Sequence, residues 1–242
     1  MFLYWVINSL NIPKLSIRTA FLINIKRKTM NKYLVEFIGT FFLILTVVLT
    51  VNNGTGSFAP IAIGGVLMVM IYAGGHISGA HYNPAVTLAV CLRGKCDWSD
   101  MPGYIIAQLA GGGAAAMVAA LLLGSFSGYS GEMANVGTWN FGIGALSEFL
   151  GTFALVWVVL HTATTKSNAG NSHYGLAIGF TVVACAYALG GITGGAFNPA
   201  VAVGLVTAKM SVASNLGSYL VGQLAAGALA AVLFGVVYGK ED

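Results

Sequence analysis

The sequence predicts an all-α membrane protein with six transmembrane helices plus two re-entrant half-helices in an inverted repeat. Three observations carry that prediction. Hydrophobic residues make up 57% of the 242 positions and charged residues 7%, against about 25% charged in soluble domains. The apolar residues fall in six runs, each long enough, at about 1.5 Å per residue, to cross a hydrocarbon core of about 30 Å. The stretch HISGAHYNPAVTL, His76 to Leu88, returns as GITGGAFNPAVAVG, Gly191 to Gly204. Aligning Asn83-Pro84-Ala85 on Asn198-Pro199-Ala200 gives an offset of 115, which also lays Ile63 on Ile178 and Gln108-Leu109-Ala110 on Gln223-Leu224-Ala225.

Residues 1–32 read as an amino-terminal cytoplasmic tail. Its apolar piece, Met1 to Leu10, is too short to span, and its basic residues follow that piece, unlike a signal peptide. It is either an interfacial tail or an upstream extension before a start at Met30. Residues 33–242 form a single membrane domain made of repeats 33–124 and 143–238.

The first span runs from Tyr33 to about Val51, the polar turn NNGTGS follows, and the second span covers Phe58 to about Ile77. Pro84 to Leu92 continues as a helix of about nine residues, roughly 14 Å and half a bilayer, so it re-enters instead of crossing. Arg93, Lys95, Asp97 and Asp100 mark the return to water, and the third span is about Pro102 to Gly124, crowded with small residues. Such residues let helix backbones approach closely in lipid. Ser125 to Phe141, rich in Gly and Ser with Glu132 and no Lys or Arg, joins the repeats as an external loop. The fourth span, near Ile143 to Thr164, opens with EFLGTF at Glu148, echoing EFIGTF at Glu36. A loop with Lys166 leads to the fifth span, Tyr174 to Gly191; a second half-helix, Pro199 to Thr207, and a sixth span, Val212 to Tyr238, complete the chain.

Three spans per repeat is an odd number, so the second repeat enters the membrane from the opposite side. Ten of the eleven Lys and Arg residues then fall on one face and only Lys209 on the other, which makes both termini cytoplasmic. The net charge of +4 is therefore a topology signal, and no nucleic-acid partner is expected. Cys91, Cys96 and Cys185 have neither disulfide-framework nor metal spacing, and no His pairs with a carboxylate at metalloenzyme spacing. No nucleophile–base constellation is present, so no enzyme, metal or cofactor is expected.

Asparagine is a strong N-cap and proline is favoured at the first helical position, so Asn83-Pro84 and Asn198-Pro199 are both helix starts. Inversion brings them together mid-membrane, each amino terminus carrying about half a positive elementary charge. With each asparagine oxygen capping its own helix, its amide hydrogens are free to donate to a water at the midplane. That water donates outward, interrupting a proton wire, while the dipoles repel cations. The approaches Gly79-Ala80-His81 and Gly194-Gly195-Ala196 offer backbone carbonyls, as irregular backbone at this depth does where it lines a cavity.

Two NPA motifs at matched depth, each after a Gly-rich approach, with Glu36 and Glu148 in equivalent spans, make residues 33–238 resemble the aquaporin, or major intrinsic protein, family. The resemblance implies a right-handed bundle, a homotetramer with one pore per monomer, and a passive path for water and small uncharged solutes through the lipid bilayer of the plasma membrane. It also implies that Glu36 and Glu148 are structural acids that accept hydrogen bonds from the re-entrant loops, the rival role being a proton relay. His76 and His81 are expected at the cytoplasmic mouth, lining it or packing beside it. Counting from the motifs carries the family's selectivity filter onto Ile63, Ala186, Gly195 and Val201. Water-specific members resemble Phe, His, a small residue or Cys, and Arg there; Val201 departs from the Arg, and Ala202 departs from the Asp usual in the glycerol branch. A wider, apolar filter is expected. Because Gly195 occupies the position associated with mercury block, little mercury inhibition is expected; Cys185 faces either the pore or the bundle. Alternatives are a glycerol- or urea-type facilitator with water incidental, and a coupled secondary transporter.

Overall fold

The computed structural model describes residues 17–124 and 134–239. The expectations for residues 1–16, Glu132 and Lys240 lie outside the described residues.

Among the described residues are eight α-helices: α1 (Ile17–Asn52), α2 (Ala59–Ser78), α3 (Pro84–Leu92), α4 (Met101–Gly124), α5 (Phe141–Val159), α6 (Tyr174–Thr193), α7 (Pro199–Thr207) and α8 (Leu216–Tyr238). Six stretches are long and apolar enough to cross a membrane, the first being Met30–Asn52. The first span agrees with the expected Tyr33 to about Val51, and helix α1 continues back to Ile17, so the segment read as a tail is helical through its second half. Neither Gly nor Pro occurs between Ile17 and Ile38, so nothing in the chain interrupts the helical hydrogen bonding where polarity changes. At the other end of the first repeat's partner, α5 widens into a π turn over Leu160–Thr164, where Thr162 and Thr164 hydroxyls bond the carbonyls of Val158 and Leu160 at 2.7 and 2.6 Å.

Small residues set how the helices cross. Gly64 of α2 and Gly179 of α6, related by the offset of 115, face one another: a Cβ on Gly64 would run into Val183 and the Gly179 carbonyl, and one on Gly179 would lie 2.5 Å from the Gly64 carbonyl oxygen. The outer pairs α1–α4 and α5–α8 close in the same way, at Gly111 against Phe37 and at Gly222 against Ala145. Without a hydrophobic drive between helices in lipid, this backbone proximity supplies the packing.

The half-helices cross between repeats: α3 packs on α8, α7 on α4, and the two touch each other. Two more glycines at the same offset make this possible. A Cβ on Gly112 would sit 3.3 Å from the Ala200 carbonyl oxygen, and one on Gly227 would sit 2.7 Å from that of Ala85. Each motif alanine, fully buried, is thus seated on a glycine of the opposite repeat. The perimeter carries exposed Leu34, Ile38, Phe42, Ile106 and Leu121, an apolar surface suited to lipid.

Candidate functional site

Asn83 and Asn198 leave the helical region, at φ −158° and −161°, so each can cap its helix. The Asn83 Oδ1 accepts from the backbone N–H groups of Ala85 and Val86 at 2.9 and 3.4 Å; the Asn198 Oδ1 accepts from those of Ala200 and Val201 at 2.8 and 3.4 Å. Pro84 and Pro199 occupy the first helical position, where no N–H is missed. The amides differ from the sequence expectation. Asn83 Nδ2 donates to the Phe197 carbonyl at 2.9 Å and Asn198 Nδ2 to the Tyr82 carbonyl at 2.8 Å. One hydrogen of each amide therefore ties the repeats together at the midplane, and one remains for the cavity.

The loops before the motifs are organised by two fully buried acids. The Glu36 carboxylate accepts from Ser78 Oγ (2.7 Å), the N–H groups of His81 (2.9 Å) and Tyr82 (2.7 Å), and Gln108 Nε2 (2.8 Å). That of Glu148 accepts from Thr193 Oγ1 (2.5 Å), the N–H groups of Ala196 (3.1 Å) and Phe197 (2.7 Å), and Gln223 Nε2 (2.8 Å). The hydroxyls of Ser78 and Thr193 also take the N–H groups of Ala80 and Gly195. In a trans peptide the carbonyl points opposite to the following N–H. Three consecutive N–H groups turned toward each acid therefore turn the carbonyls of Gly79, Ala80 and His81, and of Gly194, Gly195 and Ala196, the other way. All six residues line the cavity.

This path is strained. Ala80, Tyr82 and Phe197 adopt φ of 51°, 49° and 48°, in the left-handed region, which for a residue with a side chain costs roughly 1–2 kcal/mol each. Gly79 and Gly194, at φ 87° and 84°, end α2 and α6 without that cost. The buried acids hold the strained turns, assisted by Tyr104 and Tyr219, whose hydroxyls donate to the Ser78 and Thr193 carbonyls. One turn beyond each acid, Gly39 and Gly151 leave room for the rings of Tyr82 and Phe197.

A cavity of about 970 Å³ runs between the half-helices, from Lys32, Asp97, Asp100 and Lys166 at one end to Val51, Val136 and Met210 at the other. Ile63, Ala186, Gly195 and Val201 all line it, as do Asn83 and Asn198. His76 and His81 line it too; the His81 ring is 8% exposed, with Nδ1 3.1 Å from Thr87 Oγ1. Cys185, one residue before Ala186, is half-buried and is not among the residues lining this cavity. At the Lys32 end, Lys32 pairs with Asp100 at 2.8 Å, and the Cys91 and Cys96 thiols share the Asp97 carbonyl at 3.9 and 3.7 Å. Burial pushes the Cys96 thiol up to about 12. No group of three or more His, Cys, Asp or Glu that could hold a metal ion occurs among the described residues.

Sequence reasoning missed Ser78 and Thr193, Tyr104 and Tyr219, Gly39 and Gly151, and the anchoring role of Gln108 and Gln223. The offset that aligned the motifs also aligns Ser78 with Thr193 and Tyr104 with Tyr219, so the repeat itself carried the signal.

Six spans around two half-helices that meet mid-membrane, with one cavity passing between them, define a passive membrane channel. The chain belongs to the major intrinsic protein family, whose sequence profile matches residues 22–234. It is 37% identical over 223 residues to "Glycerol uptake facilitator protein-like 6" of Lactiplantibacillus plantarum, covering 88% of this chain and 100% of that one. It is 40% identical over 181 residues to "Aquaporin NIP1-3" of Oryza sativa subsp. japonica, covering 72% of this chain and 62% of the rice protein's length. The fold matches the X-ray structure of the aquaglyceroporin from Plasmodium falciparum with a TM-score of 0.69 at 21% identity, over 88% of this chain and 96% of that one. Water and small uncharged solutes are the permeants of such a channel.

Proposed function

We propose that this channel carries water together with compact uncharged solutes, through a filter that is wider and more apolar than a water-specific one. The observation that carries the reading is Val201: it lines the cavity three residues beyond Asn198, and Ile63, Ala186 and Gly195 line the same cavity. None of these four side chains bears a hydrogen-bond donor or a charge. A guanidinium in place of Val201 would narrow the passage and bind water and carbonyls; an isopropyl group does neither. Selection at this level then rests on width and on the desolvation of the solute.

Ion exclusion falls to the midplane. The amino termini of α3 and α7 repel cations there, and the one remaining amide hydrogen on each of Asn83 and Asn198 orients a passing water as an acceptor. The carbonyls of Gly79 to His81 and Gly194 to Ala196 accept from that water's neighbours. Glu36 and Glu148 are structural: each acid already receives four hydrogen bonds, which leaves it poorly suited to bind a coupling ion, as a secondary transporter would require. The protein works as a homotetramer in the plasma membrane, with both termini cytoplasmic. The basic residues support that orientation, and so does α8 ending at Tyr238, 5.2 Å from the His161 ring at the close of the fourth span.

A second reading, a solute facilitator in which water flow is incidental, is favoured by full-length similarity to a bacterial protein named as a glycerol uptake facilitator-like protein. Light-scattering traces of proteoliposomes decide between the two. Fast shrinkage in sucrose followed by reswelling in glycerol and urea supports the proposal; reswelling without water permeability above that of empty vesicles supports the facilitator; exclusion of every solute but water defeats both.

A further inference from the structure

Two thiols meet where the first half-helix ends. Helix α3 closes on a glycine turn: Gly94, at φ 73°, donates its N–H to the Cys91 carbonyl at 2.9 Å, and the Lys95 N–H reaches the Val90 carbonyl at 3.0 Å. This pair of bonds reverses the chain over the last helical turn, so the next residue, Cys96, returns beside Cys91. Both thiols point at one oxygen, with Cys91 Sγ 3.9 Å and Cys96 Sγ 3.7 Å from the Asp97 carbonyl, and they also interact with each other.

The pair joins two environments. Cys91 is 2% exposed, whereas Cys96 is half-buried and lines the cavity with Gly94, Lys95 and Asp97. A reagent entering the Lys32 end of the cavity therefore meets Cys96 first, with Cys91 next to it. Burial pushes the Cys96 thiol up, so it is protonated at neutral pH, which disfavours reagents that need a thiolate. A trivalent arsenic or antimony centre makes no such demand overall. Its bound oxygen leaves with the thiol protons as water, and its product with two thiols is uncharged, so surroundings that oppose a thiolate do not oppose it. Two thiols already side by side also make the second bond intramolecular, which holds the centre far more firmly than one thiol can.

We propose that Cys91 and Cys96 form a dithiol site for trivalent arsenic and antimony centres at the Lys32 end of the cavity, and that its occupant obstructs the path. With an aryl arsenoxide, both S–H bonds and the arsenic–oxygen bonding break and two arsenic–sulfur bonds form. The oxygen departs with both protons as one water, and no oxidant or reductant is needed. The ring that closes contains only the turn from Cys91 to Cys96, which Gly94 has already folded, so little further chain entropy is lost. Cys185 is the only other cysteine of the chain and does not line this cavity, so it offers one bond and not two.

The test uses the full chain in proteoliposomes, with phenylarsine oxide as the probe. By intact mass, the wild type should keep a single arsenical through a wash in the monothiol 2-mercaptoethanol and release it to the dithiol 2,3-dimercaptopropanol. Osmotic water permeability should fall by about twofold or more on labelling and recover on release. C96A should lose both the retained adduct and the inhibition, and C185A should keep both. C96A changes a half-buried residue at the cavity surface, so it folds and decides the matter even where C91A, in the packed end of α3, does not. An adduct that the monothiol strips from the wild type, or one that C96A retains, overturns the dithiol site, as does an adduct that C185A abolishes. A retained adduct with unchanged water permeability overturns the obstruction.

Discussion

Glu148→Leu should be among the most damaging single changes outside the pore lining. The substitution keeps a side chain of broadly similar size, but the acceptor of four hydrogen bonds disappears. Two of the four donors are backbone N–H groups on the strained approach to Asn198, and Glu148 is fully buried, so water cannot replace the lost partner. Each buried donor left unpaired costs about 1–3 kcal/mol, and four amount to about 4–12 kcal/mol, comparable with the whole stability of a typical domain at about 5–15 kcal/mol. Glu148→Gln is milder. Its remaining oxygen keeps one pair of donors while its NH₂ faces the other pair, a loss of about 2–4 kcal/mol and about 5–15 °C in melting temperature. Size-exclusion chromatography in detergent, melting curves and osmotic water permeability read these effects. Glu148→Leu should not yield a monodisperse, conducting protein, whereas Glu148→Gln should conduct water and melt earlier. A Glu148→Leu protein as stable and permeable as the wild type would refute the reasoning. A wild-type proton current that vanishes in a fully stable Glu148→Gln would make the acid a relay.

Three further outcomes follow from the geometry. Asn198→Asp exchanges the amide donor that reaches the Tyr82 carbonyl for an anion at the midplane; it should lower stability by about 1–3 kcal/mol and open a cation leak, measured as current under a salt gradient, and a leak-free variant would deny the midplane its barrier role. Gly64→Val inserts a side chain where α2 meets the Gly179 carbonyl, so α2 and α6 must separate; overpacking costs about 1–3 kcal/mol or more, visible as a lower melting temperature, while Gly65→Ala, which meets open space, should be silent. The Cys96 thiol, held up to about 12 by burial, stays protonated at neutral pH in the folded protein. Its maleimide labelling should be slow there and accelerate as pH rises toward about 12. Any stability the raised value contributes is complete below the ordinary thiol value and is lost on the way up to the folded one. Labelling at the rate of a free thiol at neutral pH would contradict the burial.

What the sequence made legible was whatever is local or repeated. An asparagine before a proline starts a helix by its own chemistry, so α3 and α7 begin where the motifs put them. The count of spans and the offset of 115 followed from hydropathy and alignment, whereas Ile63, Ala186, Gly195 and Val201 were implied by the family resemblance, counted from the motifs, and all four line one cavity. Contacts between distant segments were not legible. The second bond of each asparagine amide exists only because inversion places the Tyr82 and Phe197 carbonyls across the midplane. Cys185 and Ala186 differ by about 100° of helical rotation, and only the tilt of α6 decides which of them reaches the cavity. The extension of α1 back to Ile17 was not legible, because polarity changes at Lys32 while helical hydrogen bonding does not.

The most direct test of the account is the ratio of glycerol to water permeability in proteoliposomes, measured for the wild type and for Val201→Arg in the same lipid. The apolar filter predicts measurable glycerol flux in the wild type and a ratio lower by about tenfold or more once the guanidinium occupies the constriction. A wild type that excludes glycerol, or a ratio the arginine leaves untouched, would show that selection is made somewhere other than at Val201.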